Sequence, residues 1–193
     1  MNAIRRWLPR ALFESFLIIL SILVALAVNE WREHRARLSR VAEARAVFVH
    51  EIESNRDLLR SADYLPHHER LQKEYKQLTD RASTEPGSLF DTGVHPAPLR
   101  DGAWRSFSAS QTLADFAPAE MLLLSGIYRA QENVAQLNSN FLSQMTAPRS
   151  DRETPEYQRD QARSIWLFLN DVVTSEQRLL EEYDRAIAEL KTR

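Results

Sequence analysis

Five histidines and no cysteine bound the chemistry open to this 193-residue chain. His50-Glu51 begins like the HExxH helix of zinc proteases, in which two imidazoles one turn apart hold the metal. Position 54 is Ser, so the second ligand is missing. His50 therefore reads as a helix-surface residue. His67, His68 and Glu69 cluster beside Pro66, but adjacent side chains on a helix point in different directions and make a poor chelate, so the pair reads as a solvated turn. His34 and His95 are isolated, and no Glu-x-x-His pair of the di-iron bundle type occurs. A P-loop, a dinucleotide glycine fingerprint and a Gly-x-Ser-x-Gly elbow are equally missing from the sequence. Lack of Cys removes disulfides, thiolate metal sites and a thiol nucleophile. The expectation is a non-enzymatic protein with no catalytic residues, no metal site and no cofactor.

The elements behind those residues begin with a membrane anchor. Ser15 to Val28 is an unbroken uncharged run, SFLIILSILVALAV, preceded by Arg5, Arg6 and Arg10 and followed by Asn29, Glu30 and Trp31. Fourteen residues rise only about 21 Å along a helix, short of a hydrocarbon core of about 30 Å. Adding Ala11, Leu12 and Phe13 brings the segment to about 27 Å, with Glu14 near its end, where a charged side chain reaches headgroups. Trp7 and Trp31 are then about 36 Å apart, which suits two indoles in opposite interfaces. Residues 11–31 are predicted to cross the bilayer, with 1–10 as a basic leader and 32–193 as a helical domain. A cleaved signal peptide is the rival, but its one Ala-x-Ala, Ala25-Leu26-Ala27, lies inside the apolar run. Within the span Glu14, Ser21, Ala25 and Asn29 share a face, with Ser21 and Ala25 spaced as small-xxx-small, a pattern suited to packing on another membrane helix.

Charge counting does not fix orientation. Three arginines precede the span, while Arg32, Arg35, Arg37, Arg40 and Arg45 follow it, mixed with Glu30, Glu33 and Glu43. A short basic leader before a first apolar segment is the usual signal-anchor arrangement, so the N-terminus is expected in the cytoplasm and the helical domain exported. The arginines after the span fit a headgroup zone.

Beyond the anchor the composition is that of an all-α protein, with four glycines in the whole chain and an abundance of Ala, Leu, Arg, Glu and Gln. Net charge is −2 with both signs interspersed, so neither a nucleic-acid-binding block nor an acidic tail exists. Asn29 to about Leu65 lacks Gly and Pro, and two lines of mostly apolar residues, Val41-Phe48-Asn55-Ala62 and Leu38-Arg45-Ile52-Leu59, make it a long amphipathic helix continuous with the anchor. Pro66 marks a kink or a new start, and Leu71, Tyr75, Leu78 and Ala82 keep helical spacing after it. Ser83 to Gly102 is a Pro/Gly-rich loop. Ala103 to Ser110 suits a short helix. Pro118 opens another, with Glu120 at its positive dipole end, running to about Met145 and burying Leu124, Ile127, Tyr128, Val134, Leu137, Phe141 and Leu142. Gly126 inside it implies close approach of another element. Thr154-Pro155-Glu156 starts a last helix that buries Ile165, Phe168, Leu169, Val172, Leu179, Tyr183, Ile187 and Leu190. These stripes predict an antiparallel helical bundle, in which Trp104, Phe107, Phe116 and Tyr128 are core aromatics.

The order Glu14, apolar run, Ala25-Leu26-x-Val28-Asn29-x-Trp31-x-Glu33, then Glu51-Ile52-x-x-Asn55, Ala103-Trp104 to Ser110 with Leu113, and Ile127-Tyr128 resembles an uncharacterised family of bacterial single-span membrane proteins. The likeness covers most of the chain on sparse positions and leaves out Ser83 to Gly102. It implies an inner-membrane anchor carrying an all-α domain and supplies no catalytic residues. Two functions fit. The first is a scaffold or accessory subunit of a membrane complex, whose partners are the lipid bilayer and other membrane subunits or further copies of the chain, with no nucleic acid. The second is a ligand-sensing or regulatory bundle that signals through a partner protein. A pocket of converging polar groups favours sensing, and a closed core with an apolar outer strip favours assembly.

Overall fold

The structure, a computed structural model, describes residues 2–80, 93–146 and 155–192, with side chains described for 13–79, 93–143 and 159–192. Much of the Pro/Gly-rich loop, the Thr154 cap and the side chains of Arg5, Arg6, Trp7 and Arg10 lie outside the described residues. Among those described, all regular structure is helical: α1 (Asn2–Arg60), α2 (Leu65–Asp80), α3 (Gly102–Ser108), a 3-10 turn (Gln111–Asp115), α4 (Pro118–Thr146) and α5 (Pro155–Lys191). The chain divides into two compact units, residues 1–43 and 44–193.

In the first unit, α1 carries Pro9 in the basic leader and then runs through the apolar segment, where Gly and Pro are missing and Ala, Leu and Ile dominate. From Phe13 to Val28 every large apolar side chain is exposed, and the most apolar 18-residue window has none of its residues buried. By length and composition this helix can cross a membrane. Leu38, expected on the apolar stripe, is exposed, while Val41 is buried.

The second unit owns the core. α1 stops at Arg60, where Ser61 N donates to Leu58 O and Tyr64 N to Ser61 O, a tight turn that reopens as α2 when His68 N donates to Tyr64 O at 2.8 Å. Pro66 fits the first turn of α2, where its missing N–H is no loss. Ala62, expected on the buried stripe, falls in this turn and is exposed.

Cross-helix bonds set the direction of each element. Lys191 Nζ donates to Glu53 Oε1 (2.6 Å) and Arg60 Nη2 to Asp184 Oδ2 (2.7 Å), so α5 descends as α1 ascends. His68 with Glu176 and Gln72 with Asn170 continue the same opposed register between α2 and α5. Gln131 with Tyr183, and the stacked rings of Phe141 and Phe168, oppose α4 and α5 in the same way. By contrast Arg45 with Glu120 and Glu51 with Tyr128 run α1 and α4 in the same sense. What makes that possible is an extended return: Gly93 lies against His67, Arg100 against Asn55 and Ala103 against Glu51, so this segment retraces α2 and α1 before α4 begins.

At the start of α4, Glu120 reaches back to Ala117 N at 3.3 Å, the carboxylate half of a capping box, and takes Arg45 at 2.9 Å while itself buried. α4 ends at Thr146 and α5 at Lys191, and the expected stripes are buried except that Phe141, Phe168 and Leu137 are half-buried and Leu142 is exposed. Gly126 is a correction to the sequence reading: a Cβ there meets nothing within 4 Å, so no element packs closely on it. Close approach occurs instead at Gly102, where a Cβ would lie 3.3 Å from Glu51 Oε2. A second hydrophobic cluster, Leu71, Tyr75, Ile165 and Leu169 with Phe141 and Phe168 against it, closes the far end.

Candidate functional site

Three places gather residues able to interact with something beyond the chain's own core: the apolar helix, a polar seam through the bundle, and a groove on its flank.

On the apolar helix Glu14, Ser21, Ala25 and Asn29 are all exposed and fall within about a quarter turn of one another at 100° per residue. Ser21 Oγ donates to Ile18 O at 2.7 Å, which satisfies its hydroxyl on the backbone of its own helix. Asn29 Nδ2 donates to Glu33 Oε1 at 2.8 Å. Trp31 is exposed, and the Arg35 guanidinium lies 4.4 Å from its ring centroid, a cation–π pair one turn along. An indole and a guanidinium held together suit the amphipathic zone between hydrocarbon and water.

The sequence placed Asn55, Tyr128 and Tyr183 on buried stripes but not the polar seam that they form. Buried Asn55 both donates to Arg100 O (2.7 Å) and accepts from Arg100 N (2.8 Å), fixing the return segment as a neighbouring strand would. Glu51 takes Tyr128 OH at 2.8 Å on one oxygen and Ala103 N at 3.0 Å on the other. Gln131 Nε2 donates to Tyr183 OH at 2.6 Å. Burial raises the Tyr128 hydroxyl well above the usual phenol value of 10, and its bond to Glu51 raises it further. Tyr183 is likewise raised, chiefly by burial, with the hydrogen bonds from Gln131 and Asn55 acting in the opposite direction. Both phenols therefore hold their protons to higher pH than a free tyrosine.

Two turns further along, the seam repeats with different chemistry. Asn138 is seven residues after Gln131 and Glu176 seven before Tyr183, so the opposed register sets Asn138 across from Glu176. From α2, His68 Nδ1–H donates to Glu176 Oε2 at 2.9 Å with both side chains fully buried. Among the described residues, His68 Nε2, Glu176 Oε1, Asn138 Oδ1 and Gln131 Oε1 have no hydrogen-bond partner. His67 is buried as well: its Nε2–H donates to Gly93 O at 2.9 Å and its ring stacks on His95 at 4.7 Å. The solvated turn expected at His67-His68 is thus wrong. Each imidazole points a different way, as adjacent helical positions must, and one clasps α5 while the other clasps the return segment. Sequence reasoning missed them because their partners are 108 and 26 residues away. Among the described residues no group of three or more His, Cys, Asp or Glu could hold a metal ion.

Three of the four aromatics expected in the core pack on Phe48 of the α1 stripe, and the fourth, Trp104, packs on one of those three. Phe107, Phe116 and Tyr128 lie 5.2, 6.0 and 6.0 Å from the Phe48 centroid, and Trp104 stacks on Tyr128 at 5.3 Å and 19°. Both rings of that stack line a groove of about 740 Å³ between Ala97–Leu99, the first turn of α3 and α4. Asp101, Arg105, Arg129 and Glu132 line it with Trp104 and Tyr128. Arg105 Nε donates to Asp101 Oδ2 at 2.7 Å. His50, read as a surface residue, is exposed.

No family model, curated protein or solved structure matches the chain.

Proposed function

We propose that this chain is a single-span membrane-anchored helical protein that acts as a non-enzymatic scaffold or accessory subunit of a membrane complex, with its helical unit on the outer side of the bacterial inner membrane. The observation that carries the reading is that every large apolar side chain from Phe13 to Val28 is exposed, while residues 44–193 have a core of their own. A soluble protein would hide such a surface, since exposed patches of this extent mark a membrane or a partner. The face of Glu14, Ser21, Ala25 and Asn29 supplies a contact for another membrane helix. The residue pattern that resembles bacterial single-span membrane proteins supports the same reading.

Its test is crosslinking in intact membranes, gentle detergent extraction and mass spectrometry. Recovery within a larger assembly is the expected result, and recovery only as a lone monomer contradicts the scaffold role. Orientation is tested by single cysteines in this thiol-free chain. Ser108→Cys is expected to label from outside the cytoplasmic membrane and Asn2→Cys from inside, and the reverse pattern overturns the outward placement.

A second reading, a ligand-sensing bundle acting through a partner, is favoured by one observation, the groove of about 740 Å³ lined by charged and aromatic side chains. That volume lies in the range of small-molecule sites.

A further inference from the structure

We infer that the groove beside Trp104 binds a zwitterionic small molecule with an apolar body, of the α-amino acid class; this rests on the sensing reading and names its ligand. Four charged side chains line the groove, two of each sign. Asp101 and Arg105 neutralise each other at 2.7 Å. Arg129 and Glu132 are different. Both are exposed on α4, and neither makes a hydrogen bond or ion pair within the described residues, although they stand three positions apart and so are surface neighbours. A groove with one free cation and one free anion side by side repels a simple anion through Glu132 and a simple cation through Arg129. It complements a ligand that carries both charges a few ångströms apart, carboxylate to the guanidinium and ammonium to the Glu132 carboxylate.

The wall fixes the rest of the ligand. Trp104 stacks on Tyr128, whose hydroxyl is tied to Glu51, and Ala97–Leu99 precedes the paired bonds between Asn55 and Arg100. The indole is therefore a rigid, half-buried surface, suited to an aromatic or aliphatic side chain without an ordering cost on binding. Gln131 lines the same groove, its amide nitrogen held by Tyr183 OH.

The test is isothermal titration of the full chain in detergent with L-phenylalanine, 3-phenylpropanoate, 2-phenylethylamine and glycine. Expected are saturable binding of L-phenylalanine in the millimolar range or tighter and at least tenfold weaker binding of the other three. Arg129→Ala and Glu132→Gln, both at exposed positions that leave the fold intact, are each expected to weaken L-phenylalanine at least tenfold. Trp104→Phe is expected to keep binding, and Trp104→Ala to lose it. Should 3-phenylpropanoate or 2-phenylethylamine bind as tightly as L-phenylalanine, or should the two α4 variants leave binding unchanged, the zwitterion assignment is overturned and the sensing reading survives. If none of the four probes binds, both are overturned.

Discussion

His68 and Glu176 show how much one pair of side chains can decide. Both are fully buried on different helices and joined at 2.9 Å, so removing one leaves the other without a counterpart in a low-dielectric interior. His68→Ala is expected to cost about 3–5 kcal/mol, seen as a drop in Tm of about 10 °C for a unit of this size. The double replacement His68→Leu with Glu176→Leu is expected to restore most of that loss, because two apolar side chains need no partner. Thermal unfolding followed by circular dichroism separates the two outcomes; a double variant no better than the single one would mean that the pair does more than hold α2 to α5. The buried phenols give a separate signature. In the folded protein Tyr128 and Tyr183 ionise above the unfolded value of 10, so the stability they hold in their neutral forms is complete below pH 10 and is lost as pH climbs towards their folded values. Tm is expected to fall above pH 10, and Tyr128→Phe with Tyr183→Phe to flatten that fall, at the expense of about 1 kcal/mol at neutral pH for each hydrogen bond lost.

At the scale of elements, the helices were written plainly and their neighbours were not. Pro66, Pro118 and Pro155 each sit in the first turn of a helix, and the stripes of α4 and α5 go inward nearly as their spacing dictates. Local rules read such features well because proline placement and apolar period act within a few residues. The direction of α4 could not be read this way. It depends on the extended return clasped by Asn55, Glu51 and His67, and each of those bonds joins positions 26 to 52 apart. Polar residues on an otherwise apolar stripe, Asn55, Gln131, Asn138 and Glu176, are the only trace the seam leaves in the sequence, and they name no partner. The glycines divide on the same ground. Gly126, with open space around it, is expected to gain about 1 kcal/mol when replaced by Ala, through helix propensity alone. Gly102→Ala is expected to destabilise, since its methyl group presses on the Glu51 carboxylate that also holds Ala103 N. Denaturant midpoints for the two variants should move in opposite directions; a stabilising Gly102→Ala would show that the start of α3 yields freely.

At the scale of the molecule, two units carry opposite surfaces. Residues 44–193 pack Phe107, Phe116 and Tyr128 around the buried ring of Phe48 and close the far end with Leu71, Tyr75, Ile165 and Leu169. A fragment Ala44–Arg193 is therefore expected to be soluble and to unfold cooperatively, which calorimetry can establish. Residues 13–28 have no such means of hiding their side chains. The most direct measurement is alkaline carbonate extraction of membranes containing the full chain, followed by sedimentation. The account requires the chain to stay in the membrane pellet while the Ala44–Arg193 fragment stays in solution. Release of the intact full chain into the supernatant would contradict it.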